Sequence, residues 1–151
     1  MSVLETRPPR FTAGEAAAIA AEVFGVDGAA VDLGSERDQT FRIGDGAVLK
    51  ISNVGEDPAV LDLEHAAVLH VLRVDPELPV ARPLGERATF EGPDGVHHVR
   101  LFERLHGRAG GPELGDGAVR DFAATHARLN LALRSFFHPA SGRELLWDLE
   151  H

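Results

Sequence analysis

The chain has 151 residues, 44% of them hydrophobic, with a formal net charge of -9 and no cysteine. This length suits one domain, or one domain with an appended piece, and contains no run near the ~20 apolar residues of a membrane span. The negative charge argues against nucleic-acid backbone binding, and the lack of cysteine excludes disulfides and thiolate metal sites. The N-terminus also lacks a signal-peptide pattern. We therefore expect a cytoplasmic protein without a membrane or nucleic-acid partner.

The first predicted element is a helix over residues 11–25. Thr12 is its expected N-cap and Glu15, three residues later, completes a capping box, while Gly25 ends the helix. The helix carries an apolar stripe of Ala16, Ile19, Ala20 and Val23. This stripe predicts that one face of the helix is buried.

Three short strands are predicted next, over residues 29–34, 39–44 and 47–52. Phe41 and Ile43 alternate with polar residues, which is typical of a half-buried strand. The Gly-Asp-Gly sequence at 44–46 predicts a tight turn. Short connections of this kind favour antiparallel pairing.

A second helix is predicted from an Asp57 N-cap and Pro58 to about Arg73. Residues 78–92 predict an extended entry and then a strand, and a Gly-Pro-Asp-Gly turn separates them from another strand over 96–107. The predicted order of elements gives an α+β fold with about five antiparallel strands and a helix packed across them.

The remaining chain is predicted to consist of a linker, a long helix and a tail. A glycine-rich linker leads to a long helix over 116–135, with a stripe formed by Val119, Phe122, His126, Leu129 and Leu133. The tail has turn residues and then an apolar patch around Trp147. The last three residues, Leu-Glu-His at 149–151, resemble the start of a vector-derived histidine tag.

Lys50 is the only lysine in the chain and lies inside an apolar strand. On the second helix, Glu64 shares a face with Leu61, Val68 and Val71, which we expect to meet the sheet. Because a carboxylate there needs a partner, the sequence favours a Lys50–Glu64 ion pair. The alternatives are that both charges extend separately to water, or that another nearby carboxylate, Asp62 or Glu56, takes the lysine.

Four segments together resemble a known family. They are "LGSERDQTFRIGDGAVLKIS", "LDLEHAAVLHVL", "LPVARPL" and "VRLFERLHG". In this order they look like the N-terminal lobe of the aminoglycoside phosphotransferase family, a kinase-like fold of small-molecule kinases. The similarity is greatest to the hydroxylysine kinase and homoserine-kinase-like branch, which includes lobes fused to class III aminotransferases. The resemblance extends over about residues 10–148.

The resemblance implies specific roles in ATP binding. Lys50 would contact the α- and β-phosphates, with Glu64 as its partner on the helix. Ser35, Glu36, Arg37 and Asp38 would form the loop that covers the phosphates, although this loop lacks the G-x-G-x-x-G signature and equally suits an ordinary polar turn. Residues 101–105 would be the hinge that holds adenine. Its members are Leu101, Phe102, Glu103, Arg104 and Leu105, and Val48 and Ile51 would help wall the adenine pocket.

The sequence departs from the family where catalysis would occur. The family's catalytic loop, H-G-D-x-x-x-x-N, supplies a base and a metal ligand, and a later Asp binds magnesium. His106 is followed by Gly-Arg, while His126, which matches a family histidine after the hinge, is followed by Ala-Arg. We therefore expect no catalytic residue and no metal site in this chain, and magnesium would need the absent C-terminal lobe.

The sequence thus predicts an N-terminal kinase-like lobe at 1–107, a linker and the first helical part of a truncated C-terminal lobe at 108–148, and a tag remnant at 149–151. The predicted function is nucleotide binding within an ATP-dependent phosphotransferase for amino alcohol or amino acid hydroxyls, inactive as a fragment. Its small-molecule substrate would bind through the absent lobe, and the surface exposed by truncation would favour dimerisation. The alternative is a regulatory or interaction module that keeps the fold without nucleotide.

Other chemistry is less consistent with the sequence. The chain has eight histidines, but His65 and His70 are five residues apart on a helix and His97 and His98 point to opposite faces of a strand. No serine has a G-x-S-x-G setting. His126, on an apolar stripe, is expected to be a hydrogen-bonded core residue.

Overall fold

The structure is a computed structural model that describes residues 6–107 and 115–142. Its helices and strands, in chain order, are α1 (Ala13–Phe24), β1 (Ala30–Asp32), β2 (Gln39–Ile43), β3 (Ala47–Ile51), α2 (Pro58–Val74), β4 (Ala88–Gly92), β5 (Gly95–Glu103) and α3 (Asp116–Leu133). A short 3₁₀ helix spans Pro139–Gly142. The predicted glycine-rich linker and the patch around Trp147 fall largely or wholly outside the described residues.

The strands form one antiparallel sheet in the order β1-β2-β3-β5-β4, which confirms the predicted α+β layout. The strand predicted over 29–34 is shorter in the structure, at Ala30–Asp32. Within 78–92 the predicted extended entry contributes one isolated bridge, between Pro83 and Phe102, and the strand begins at Ala88. Pro79 and Pro83 lack the amide hydrogen that a continuous ladder requires. The strand predicted over 96–107 ends at Glu103.

The core lies between α1 and one face of the sheet. Strand β3 alternates strictly, with Ala47, Leu49 and Ile51 buried on this face. Across from them, α1 buries its predicted stripe at Ala16, Ile19 and Ala20. The core therefore brings together residues distant in sequence, namely Phe11, Ala16, Ile19, Ala20, Phe41, Ile43, Ala47, Leu49, Ile51, Val99 and Leu101.

The predicted ends of α1 are confirmed. Thr12 and Glu15 form the capping box, and Gly25 ends the helix with a left-handed backbone, φ 66°. Hydrogen bonds from Thr12, chiefly from its backbone amide, lower the pKa of Glu15. A residue with a β-carbon at Gly25 would be strained by this φ value.

The second helix, whose apolar stripe was predicted to meet the sheet, contributes no residue to the core cluster on the sheet. Val71 of α2 instead belongs to a separate small cluster with Leu78 and with Ala132 of α3. Arg128 of α3 reaches Asp75, at the end of α2, through two hydrogen bonds of 2.7 and 2.8 Å, and these lower the pKa of Asp75. One face of the sheet is thus covered by α1, while α2 is joined to α3.

The third helix is much more exposed than predicted. Leu129 and Leu133 are half-buried against the small cluster, but Phe122 is 71% exposed and Val119 is 52% exposed. The predicted apolar stripe is therefore buried only at its C-terminal end. Among the described residues, none of the helices is both long and apolar enough to cross a membrane.

The core can be tested with a matched pair of leucine substitutions. Leu49→Ala should lower the free energy of unfolding by about 2–5 kcal/mol, because it removes a fully buried side chain and leaves a cavity. Leu33→Ala, at a side chain that is 52% exposed, should change it by no more than about 0.5 kcal/mol. Urea unfolding followed by circular dichroism measures both, and equal losses would contradict this assignment of the core.

Candidate functional site

The second face of the sheet carries the chain's only lysine. Because side chains alternate along a strand, Val48 and Lys50 point away from the core face that holds Leu49. In the sheet register, Lys50 lies opposite Thr40 of β2 and opposite Arg100 of β5. The structure thus places two cationic side chains next to each other on one sheet face.

A cavity of about 700 Å³ lies between this face and α2. Its lining consists of Thr40, Val48, Lys50, Leu63, Glu64, Ala67, Val68, Ala81, Arg100, Phe102, Glu103 and Leu105. This volume is in the range of small-molecule and cofactor sites, and the lining is mostly apolar with a few charged groups, as such sites usually are.

Most residues predicted for nucleotide binding meet in this cavity. The lining includes Val48, Lys50, Glu64, Phe102, Glu103 and Leu105. The prediction that Ile51 helps to wall this pocket is wrong, because Ile51 is fully buried on the opposite, core face of the sheet. Leu101 likewise belongs to the core.

Ser35 and Glu36, predicted to cover the phosphates, are exposed and do not line the cavity. Their loop is held by hydrogen bonds with its neighbours. The Ser35 hydroxyl donates to the Asp38 carbonyl at 2.6 Å, and the Asp38 carboxylate accepts from the Asn53 amide at 3.0 Å. Sequence reasoning missed the buried Asn53, whose side chain also donates to the Arg7 carbonyl at 2.9 Å. The covering role of this loop stays a prediction.

The predicted Lys50–Glu64 ion pair is wrong. Glu64 instead pairs with Arg100, with 2.8 Å between Oε2 and Nη1. The Arg100 side chain is only 4% exposed, whereas the Glu64 side chain is 47% exposed. Among the ion pairs of the described residues, none involves Lys50.

Arg100 was not predicted, although the sequence carries the same signal there as at Lys50. Arg100 also interrupts an apolar strand, between Val99 and Leu101. Its guanidinium carbon lies 5.7 Å from the centroid of the Phe102 ring, and its Nε is buried with no hydrogen-bond partner among the described residues. A buried guanidinium needs an anionic partner far more than a half-buried lysine with access to water.

A second ion pair connects α2 to the sheet region. Arg87 lies 2.8 Å from Asp62 and also donates to Nδ1 of His98 at 2.8 Å. Asp62, which was an alternative predicted partner for Lys50, therefore pairs with Arg87. Burial, followed by the positive charge of Arg87, lowers the pKa of His98. The neutral imidazole can then accept this hydrogen bond.

The other histidines lie outside the cavity lining. His126 is exposed on α3, so the prediction of a core residue is wrong. His97 and His98 do point to opposite faces, and His97 is buried with its Nδ1 2.9 Å from the Ser52 carbonyl. Within residues 6–107 and 115–142, no three acidic, histidine or cysteine side chains gather in a way that could hold a metal ion.

The sheet, the helix beside its open face and the cavity between them define an α+β, kinase-like fold. A solved structure described as the microcompartment-associated aminopropanol kinase is similar over 89% of this chain, with a TM-score of 0.61 and 21% sequence identity. This chain spans 45% of the length of that kinase. No protein-family profile and no curated protein matches the sequence. At this identity the similarity supports the kinase-like fold, and the more specific family resemblance stays a prediction.

The lowered pKa of His98 predicts how stability depends on pH. In the unfolded chain the pKa of this histidine is about 6.5, and in the folded chain it is lower. At acid pH the unfolded chain therefore binds more protons at this position than the folded chain. His98 should therefore destabilise the fold as pH falls from about 7.5 to about 5. His98→Gln should lose less stability than the parent over this interval, as measured by urea unfolding at both pH values.

His106→Gln, which replaces an exposed histidine, is the control for the loss of one imidazole group. Equal losses for the parent and His98→Gln would show that His98 does not contribute to the acid sensitivity.

Proposed function

We propose that the cavity between the sheet and α2 binds a nucleotide, with the Lys50 ammonium on its phosphates. The observation that carries this proposal is the position of Lys50. It lies half-buried in a cavity of about 700 Å³, with no carboxylate partner among the described residues, and is therefore free to meet an anionic ligand. The kinase-like fold supports the same assignment.

The adenine ring would pack against apolar side chains of the lining, Val48 and Phe102 among them. Two backbone amides of the hinge already have hydrogen-bond partners within the protein. The Glu103 amide donates to the Arg82 carbonyl at 2.7 Å, and the Arg104 amide donates to the Gly46 carbonyl at 2.9 Å. Leu105 lines the cavity, and its amide makes no backbone hydrogen bond among the described residues. We therefore propose that the Leu105 amide donates the hydrogen bond to the adenine base.

We further propose that the nucleotide serves a small-molecule phosphotransferase acting on an amino alcohol or amino acid hydroxyl. The support is the fold shared with a structure described as an aminopropanol kinase. These 151 residues contain no H-G-D-x-x-x-x-N sequence. The proposal for this chain alone is therefore binding without phosphoryl transfer.

Calorimetric titration with ATP tests the binding proposal. The parent chain should show saturable binding, and Lys50→Met should weaken it by about 10- to 100-fold, because a charge-assisted hydrogen bond contributes about 1.5–3 kcal/mol. Arg120→Met, which removes an exposed cation on α3, should leave the affinity unchanged.

Two results would contradict the proposal. An unchanged affinity in Lys50→Met would place the ATP elsewhere. Absence of saturable binding by the folded parent would favour the alternative, a regulatory or interaction module that keeps this fold without nucleotide.

A further inference from the structure

The side chain of Asn53 connects three separate parts of the chain. Its Nδ2 donates to the Arg7 carbonyl at 2.9 Å and to the Arg37 carbonyl at 3.4 Å. Its Oδ1 accepts from the Gly55 amide at 3.0 Å and from the Thr6 hydroxyl. The Asn53 side chain is buried, and these four bonds use the whole hydrogen-bonding capacity of its amide. Asn53 is therefore a fixed point, because loss of any one bond leaves a polar group unpaired.

The loop between β1 and β2, residues 33–38, is connected to Asn53 at two points. One is the bond from the Asn53 side chain to the Arg37 carbonyl. The other is the backbone amide of Asn53, which donates to the Asp38 carboxylate at 3.0 Å. Within the loop, the Ser35 hydroxyl donates to the Asp38 carbonyl at 2.6 Å. The position of Ser35 therefore depends on the residue that follows β3.

The same loop lies next to the cavity at Thr40. Thr40 lines the cavity and is directly opposite Lys50 in the sheet register. Residues in such an antiparallel pair have β-carbons about 4.5–5.5 Å apart. The Ser35 hydroxyl is 3.3 Å from the Thr40 hydroxyl. Only the side chain of Thr40 therefore separates the loop from the place proposed for a phosphate on Lys50.

We infer that Asn53 is a positioning residue that holds the β1–β2 loop beside Lys50 before a ligand arrives. A loop that is already ordered favours binding, because no conformational freedom has to be lost when the ligand enters. The effect on ligand affinity rests on the nucleotide-binding function proposed above. The ordering of the loop does not, and each part has its own test.

The ordering of the loop can be measured without nucleotide, by backbone amide hydrogen exchange followed by NMR. The Leu33 amide reports on the loop, since it donates to the Thr40 carbonyl at 2.9 Å across the loop ends. Asn53→Ala should speed its exchange about tenfold relative to amides in the centre of β5, the effect of losing about one hydrogen bond locally. Asn130→Ala, at an exposed asparagine of α3, should leave this ratio unchanged. Equal acceleration in the loop and in β5, or none in the loop, would overturn the inference.

The consequence for the ligand is tested by calorimetric titration with ATP and with adenosine, which lacks the phosphates. Asn53→Ala should weaken ATP binding about tenfold and adenosine binding by less than about twofold. The reason is that the loop lies beside Lys50, whereas the base is proposed to bind at Leu105, farther along the cavity lining. A merely structural role for Asn53 would weaken both ligands equally. That result would overturn the inference, as would an unchanged affinity for ATP.

Folding of each variant is checked by urea unfolding. If Asn53→Ala does not fold, Asp38→Ala tests the same connection from the loop side, because it removes the acceptor of the Asn53 amide at a side chain that is only half-buried. Faster exchange of the Leu33 amide together with a loss confined to ATP supports the inference, and the parent's behaviour in either measurement overturns it. If the parent binds neither ATP nor adenosine, the proposed function fails, and hydrogen exchange alone then decides whether Asn53 holds the loop.

Discussion

The ion pair between Arg100 and Glu64 is the interaction on which the site depends. It joins β5 of the sheet to α2, and Val71 of α2 packs in a separate small cluster with Ala132 of α3. The Arg87–Asp62 pair supports the same connection. Because these are contacts between charged side chains at the ends of long stems, they hold α2 beside the sheet without filling the space between them. The cavity of about 700 Å³ is that space.

Strand β3 gives the sheet two different faces. Leu49 and its alternate neighbours enter the core with α1, while Val48 and Lys50 face the cavity. A shift of one residue in register would bury the lysine in the core and expose the leucine, so the hydrophobic pattern of β3 also determines the placement of the proposed phosphate-binding group. The five residues of β3 therefore include both core side chains and the lysine that we propose binds a phosphate.

Much of the cavity could be predicted from local sequence and family resemblance. Lys50 was singled out as a lysine inside an apolar strand, while Val48, Phe102 and Glu103 were implied by the family resemblance, and all four line the cavity. The pairing of Glu64 could not be predicted, because the sequence does not say which strand lies beside β3. Only the strand order β3-β5-β4 brings Arg100 next to Lys50. The exposed face of α3 was mispredicted for a related reason, since apolar periodicity does not reveal what a helix will contact. The covering role of the loop at Ser35 stays a prediction.

The sequence by itself determined the helices, the short antiparallel strands and the capping of α1, because these follow from the spacing of residues close together in the chain. It also shows that Lys50 is the only lysine. The tertiary structure alone decided which cation Glu64 neutralises and which helix covers the core. Both depend on burial, and burial is set by strand order and helix packing over long sequence distances. The burial of Arg100 is a property of the folded chain only, and it is Arg100 that pairs with Glu64.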